Sequence, residues 1–149
     1  MTQPGPTATR SSTLWPRGLD RGDRRLKEHW KNEPEEHDYP AASAFLSLLA
    51  PPATVDVMVA ALRSAPLTQR KARDLLRAAG LPLLPPDNGS VKRDLEKVGS
   101  GVRLSPVLLV RGSLGDGRPL VVADGYHRIC ASQHLDEDAD VPCRIVELH

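Results

Sequence analysis

The stretch that most limits how this chain can fold is Leu120-Val121-Val122-Ala123-Asp124-Gly125-Tyr126-His127-Arg128. An apolar run stops at Asp124-Gly125, and a helix-compatible segment, residues 126–135, follows it. That order predicts a strand, a tight turn and a helix start. Glycine adopts backbone angles closed to other residues and lets a ligand approach the main chain. The first turn of a helix carries unpaired N–H groups and a partial positive charge, which suits an anion. His127 and Arg128 add side-chain donors, and a guanidinium can grip a phosphate through two nitrogens. The stretch therefore reads as a phosphate-holding turn. A strand-glycine-helix joint is also a plain connection in many α/β proteins, so Gly-x-His-Arg alone does not separate the two readings.

Length and composition bound the rest. The 149 residues fit one domain plus tails. Hydrophobic residues make up 40% and aromatics only 3%, so the core must be built from Leu, Val and Ala. The formal net charge is +1, and the average charge therefore says nothing about nucleic acid. No run approaches the roughly 18 apolar residues of a membrane span, and the start lacks an apolar segment of signal-peptide type. Cys130 and Cys143 do not make a disulfide framework. A cytoplasmic, reduced protein with no membrane partner is expected.

Residues 1–40 are rich in Pro, Thr, Ser, Arg and Glu without apolar periodicity and read as a flexible arm. Arg21, Arg24, Arg25, Lys27 and Lys31 cluster there near Trp15 and Trp30, a pairing that can bind nucleic acid. Asp20, Asp23 and Glu28 dilute it, which favours a solvated tail with Trp30 held by the domain. From residue 41 a single domain is expected, with a helical part over 41–80 and the sheet and turn over 81–149. Residues 41–50 predict a short helix stopped by Pro51-Pro52. Thr54 is a candidate cap for a second helix, with Val55, Met58, Val59 and Leu62 on one face. Thr68 is a candidate cap for a third, with Ala72, Leu75, Leu76 and Ala79 inside, Arg70, Lys71, Arg73 and Arg77 outside, and Gly80 as its stop. Two such helices with a basic outer face also admit a helix-turn-helix reading.

Asp87, Asn88 and Ser90 can cap a fourth helix whose buried side is Val91, Leu95 and Val98. They could also form a second wall of a ligand site, although capping alone explains these residue types. Residues 106–111 predict a strand, 112–118 a hairpin loop and 119–123 the returning strand. The last strand, 141–148, places Cys143 and Ile145 on one face and Arg144 and Val146 on the other. Strand, helix and strand at this spacing suggest a right-handed crossover within one sheet.

Taken together, Leu104-Ser105-Pro106-Val107-Leu108-Leu109-Val110, the loop, Leu120 to Arg128 and Val141-Pro142-Cys143-Arg144-Ile145-Val146 resemble the ParB/sulfiredoxin family over roughly the last third of the chain. The resemblance implies an α+β fold, a small mixed sheet with helices. It also implies nucleotide binding, with CTP, ATP or ADP as ligand and Mg²⁺ accompanying it. Gly125, Tyr126, His127 and Arg128 would meet the phosphates, Asp124 would serve as base or Mg²⁺ ligand, and Ala131 would let the helix pack closely on the sheet. Tyr126 stands where sulfiredoxins carry a catalytic cysteine, so sulfinic acid repair is not expected. The chain ends at His149, where partition proteins of the family continue, so partition is not expected either. An NTPase or small-molecule kinase is the leading expectation. A DNA- or RNA-binding accessory module without catalysis is the alternative, and a structural domain without a ligand the third. A rival constellation, His127, Cys130, His134 and Cys143, offers zinc-type ligands but lacks the short paired spacing of structural zinc sites.

Overall fold

In the computed structural model, which describes residues 29–148, helices cover both faces of a four-stranded mixed sheet, an α+β fold as expected. The order is α1 (Asp38–Leu46), α2 (Pro52–Ser64), β1 (Thr68–Lys71), α3 (Ala72–Ala79), α4 (Gly89–Gly99), β2 (Val107–Val110), β3 (Val121–Asp124), α5 (Tyr126–Leu135) and β4 (Asp140–Val146). Across the sheet the strands run β1-β4-β2-β3. β2 pairs in parallel with β4 and antiparallel with β3, and β1 pairs antiparallel with β4.

β2 explains the layering. Its sequence, Val-Leu-Leu-Val, has no polar position, the pattern of a strand covered on both faces. Val107 and Leu109 enter a core shared with Leu75, Leu95, Ile129 and Val141, under α3, α4 and α5. Leu108 and Val110 point the other way, into a core with Tyr39, Leu46, Met58 and Leu62 from α1 and α2. Each helix earlier read from its apolar face keeps that face inward: Val55, Met58 and Leu62 of α2, Ala72, Leu75 and Leu76 of α3, and Val91, Leu95 and Val98 of α4 are all buried.

Several expectations are corrected. Thr54 is not a cap, because α2 begins at Pro52, and a proline in the first position needs no N–H partner. Thr68 is not a cap either. It opens β1, an edge strand of polar residues, and its hydroxyl lies 3.5 Å from the Cys143 sulfur. Arg70 and Lys71 therefore belong to that strand, and β1 separates α2 from α3 where a helix-turn-helix would have a short turn. Arg73 and Arg77 of α3 pair with Asp138 at 3.1 Å and Asp74 at 3.8 Å. The crossover expected from β3 through α5 does not join parallel strands. β4 runs with β2 and against β3, so the handedness rule does not govern that link.

The domain also starts earlier than residue 41. Trp30 is 8% exposed and bridges Leu104, whose N–H donates to the His29 carbonyl at 2.7 Å. Asp38 is 2% exposed and Tyr39 is equally enclosed. The remaining residues of the basic arm, including Trp15, Arg21, Arg24, Arg25 and Lys27, lie outside the described residues. Lys31 is described, and it pairs with Glu35 at 3.5 Å.

Arg144 on β4 reaches the carboxyl end of α2. Its Nη1 donates to the carbonyls of Leu62 and Arg63 at 3.2 and 2.6 Å and to the Tyr39 hydroxyl at 3.1 Å. A cation there meets carbonyls that have no partner within the helix, and the negative end of its dipole.

Leu108 sits at 0% exposure in the α1–α2 core, so Leu108→Ala removes a filled volume between sheet and helices. The expected loss is about 2–5 kcal/mol of unfolding free energy, measured by urea denaturation. A loss under about 1 kcal/mol would mean that this face is not packed as described.

Candidate functional site

The predicted joint is built as the sequence demands. β3 ends at Asp124, Gly125 has φ 114° and ψ 16°, and α5 begins at Tyr126 and ends at Leu135. Glycine is required here twice over. The positive φ is strained for any other residue, and an added Cβ would lie 2.3 Å from Cγ1 of Val107. The close approach fixes the first turn of α5 against the central strand. Ala131, farther along the same helix, is completely buried in the same core, as a close helix–sheet contact needs.

The head of α5 has no side-chain cap, since glycine has none to offer. Its first-turn N–H groups and the helix dipole make the spot positive. Arg128 lies in that same turn, where a further cation is unfavourable unless an anion answers it. Asp124 answers it. Arg128 Nη2 donates to Asp124 Oδ2 at 2.8 Å and to the Pro106 carbonyl at 3.3 Å, with the two side chains 16% and 17% exposed. Arg128 Nε is buried and has no hydrogen-bond partner.

The pair is not at electrostatic ease. Burial pushes the Asp124 carboxyl above the ordinary carboxylate range, and the nearby Asp38 carboxylate adds to that rise. The attraction of Arg128 opposes the rise without cancelling it. Asp94 of α4, 13% exposed, is raised in the same way by burial, against the pull of Arg128, Lys97, His127 and Arg93. Arg128 thus acts on both Asp124 and Asp94, while Asp38 acts on Asp124.

The other expected site residues have distinct places. Tyr126 donates its hydroxyl to the Pro82 carbonyl at 2.7 Å and lies with its ring 5.5 Å from that of His127. Asn88 caps α4, its Oδ1 accepting from Ser90 and Val91 N–H at 3.0 and 3.2 Å. Ser90 accepts from Arg93 at 3.1 Å, and Asp87 is exposed. Of the three, Asn88 makes the capping contacts at the start of α4. The zinc-type set does not assemble. Cys130 and Cys143 are buried free thiols whose pKa values burial raises, and His134 Nε2 lies 2.7 Å from the Leu84 carbonyl. Among the described residues no group of three His, Cys, Asp or Glu side chains is placed to hold a metal ion.

Asp94 and Asp38 were missed from the sequence. Asp94 left a signal, because it falls at i+3 in the stripe Val91, Leu95, Val98, where a carboxylate must be buried. Asp38 left none, since it sits among Glu33, Glu35 and Glu36 in a stretch that looks solvated. Comparison of the chain with protein-family models, with curated proteins and with solved structures finds no match.

Gly125→Ala is expected to cost about 2–5 kcal/mol of stability, the sum of backbone strain and a collision with Val107. Urea denaturation measures it, and a neutral result would show that β2 and α5 are not in contact there. A pH prediction follows from Asp94. A carboxyl raised on folding holds its proton longer in the folded chain than in the unfolded one, so stability falls as pH rises from the ordinary value of 3.8 through the raised one. The stability of the natural chain relative to Asp94→Asn should fall over that window, read from denaturation midpoints between about pH 3 and 7. A difference that rises with pH would reverse the assignment.

Proposed function

We propose that the head of α5 binds the phosphates of a nucleotide, CTP or ATP/ADP, in a ParB/sulfiredoxin-like manner. The observation that carries this reading is the placement of Arg128. It stands in the first turn of an uncapped helix, beside His127, and its one carboxylate partner is a group that burial disfavours as an anion. Positive charge thus stands at the helix head beside a carboxyl that burial shifts toward its protonated form. A phosphate can accept from the helix N–H groups and from a guanidinium at once.

In this reading His127 and Arg128 meet the phosphates and Gly125 leaves room at the main chain. Tyr126 braces the turn through Pro82. Asp124, once Arg128 turns outward, is the carboxylate nearest the bound phosphates. That makes it the candidate base of an NTPase or small-molecule kinase, its raised pKa placing it closer to neutral pH. The described side chains do not fit Mg²⁺ by themselves. The ion that accompanies nucleotides is held largely by phosphate oxygens, and the binding mode argued here rests on the protein's N–H and guanidinium donors alone. A nucleic-acid reading draws less from the geometry, because the basic residues of α3 are engaged with Asp138 and Asp74.

The test is a thermal-shift and calorimetric screen with CTP, ATP, ADP and GTP, each with and without Mg²⁺. A ligand at 100 times its Kd should raise stability by about 2.7 kcal/mol, a rise of several degrees in melting temperature. That rise should vanish in Arg128→Ala and shrink in His127→Ala, both first checked for folding. No shift with any of the four nucleotides sinks the proposal.

A further inference from the structure

At the opposite end of β3 from Gly125 there is a hollow of about 210 Å³. It lies where the parallel strands β2 and β4 finish, under the outer edge of α3. Its floor is apolar, formed by Leu75, Leu120 and Ile145. Its rim carries Arg70, Lys71 and Arg111, against a single carboxylate, Asp74. The hollow is held open by the main chain, because the Leu120 N–H donates to the Ala78 carbonyl at 3.0 Å and fixes the end of α3 over the start of β3.

The rim charges are unequal in their engagement. Lys71, half-buried, lies 3.6 Å from Asp140 and donates to the Asp138 carbonyl at 3.0 Å, while the exposed Arg111 lies 2.7 Å from Glu147 in a pair that water holds weak. Asp74 is drawn toward Arg77, outside the hollow, at 3.8 Å. Arg70 has no ion-pair partner among the described residues. A cation left without a counter-charge beside the half-buried Leu120 and Ile145 has a definite complement: an anionic head joined to a small apolar body. The apolar part covers Leu120 and Ile145, and the head meets Arg70 with Arg111. The volume is below the roughly 300 Å³ at which ordinary small-molecule sites begin, so the ligand is compact.

We propose that this hollow is a second binding site, distinct from the head of α5, for a small organic acid with an apolar body. No residue of the α5 head lines it. The two sites sit at opposite ends of β3, so each can fail without the other.

Calorimetric titration of the full chain with hexanoate and with hexyl phosphate tests it, the two arms separating a carboxylate head from a phosphate monoester. Saturable binding of at least one is expected, at least tenfold tighter than acetate, inorganic phosphate or hexylammonium. Arg70→Glu should weaken it at least tenfold and Arg70→Gln by less. Ala78→Phe, on an exposed position at the mouth, should block it, while Arg128→Ala should leave it unchanged. Three results overturn the proposal: no saturable binding of either acid, equal binding of acetate or hexylammonium, or binding unaffected by Arg70→Glu in a chain that denaturation shows to be folded.

Discussion

Val107 and Gly125 meet at a distance that no side chain on residue 125 would allow, and the arrangement of the molecule depends on that approach. Val107 belongs to the central strand, whose residues are buried on both sides. Gly125 is the residue through which the chain passes from sheet to helix. Contact between them sets where α5 starts relative to β2, and so where His127 and Arg128 stand. The same strand supplies both cores, with Leu109 on one side and Leu108 on the other. A change in the packing of either core is therefore passed to the head of α5 through one strand. Interiors packed at crystal density transmit such shifts instead of absorbing them.

The charges at that head oppose one another in a way that packing alone does not require. Arginine at the start of a helix adds to a positive dipole, and burying it with aspartate takes both groups from water. The Asp124–Arg128 pair meets that cost only in part, as the upward shift of the Asp124 carboxyl indicates. Asp94 and Asp38 stand close enough to be felt. A pair of apolar residues could fill the same space without desolvating any charge. The arrangement keeps the arginine beside two aspartates, Asp124 and Asp94, whose carboxyls burial shifts toward their protonated forms.

How much of this was legible in the sequence depends on how each residue announces its surroundings. The bounds of α5 were readable because an apolar strand, a glycine and a helical stretch follow one another without interruption. α4 was readable from its stripe and from Asn88, whose cap is used as read. β1 was not, because Thr68, Gln69, Arg70 and Lys71 carry no apolar alternation. An edge strand needs only to pair its backbone with β4, and polar side chains protect it from further pairing. Residues 29–40 read as arm, with Trp30 alone held by the domain, because their proline and acid content hides a second anchor, Tyr39. The ion pair of Asp124 and Arg128 was in principle visible, since residues four apart share a face. The end of a strand and the start of a helix do not obey that spacing by themselves, and Gly125 is what brings them into register.

A comparison within the molecule bears on what Arg128 is for. Arg144 is equally enclosed, and its Nε also lacks a partner. The two differ in what surrounds the guanidinium. Arg144 meets the Leu62 and Arg63 carbonyls at the negative pole of α2 and the Tyr39 hydroxyl, with the exposed Glu33 carboxylate 3.8 Å away. Every one of those contacts favours a cation, and the carbonyl contacts are part of how α2 closes on the sheet. Arg128 has one carbonyl, one carboxylate that burial disfavours as an anion, and the positive pole of a helix beneath it. A guanidinium that served only to join elements would be better placed at the other end of α5. At the head of α5 that cation is answered from within the chain by Asp124, which it bonds at 2.8 Å.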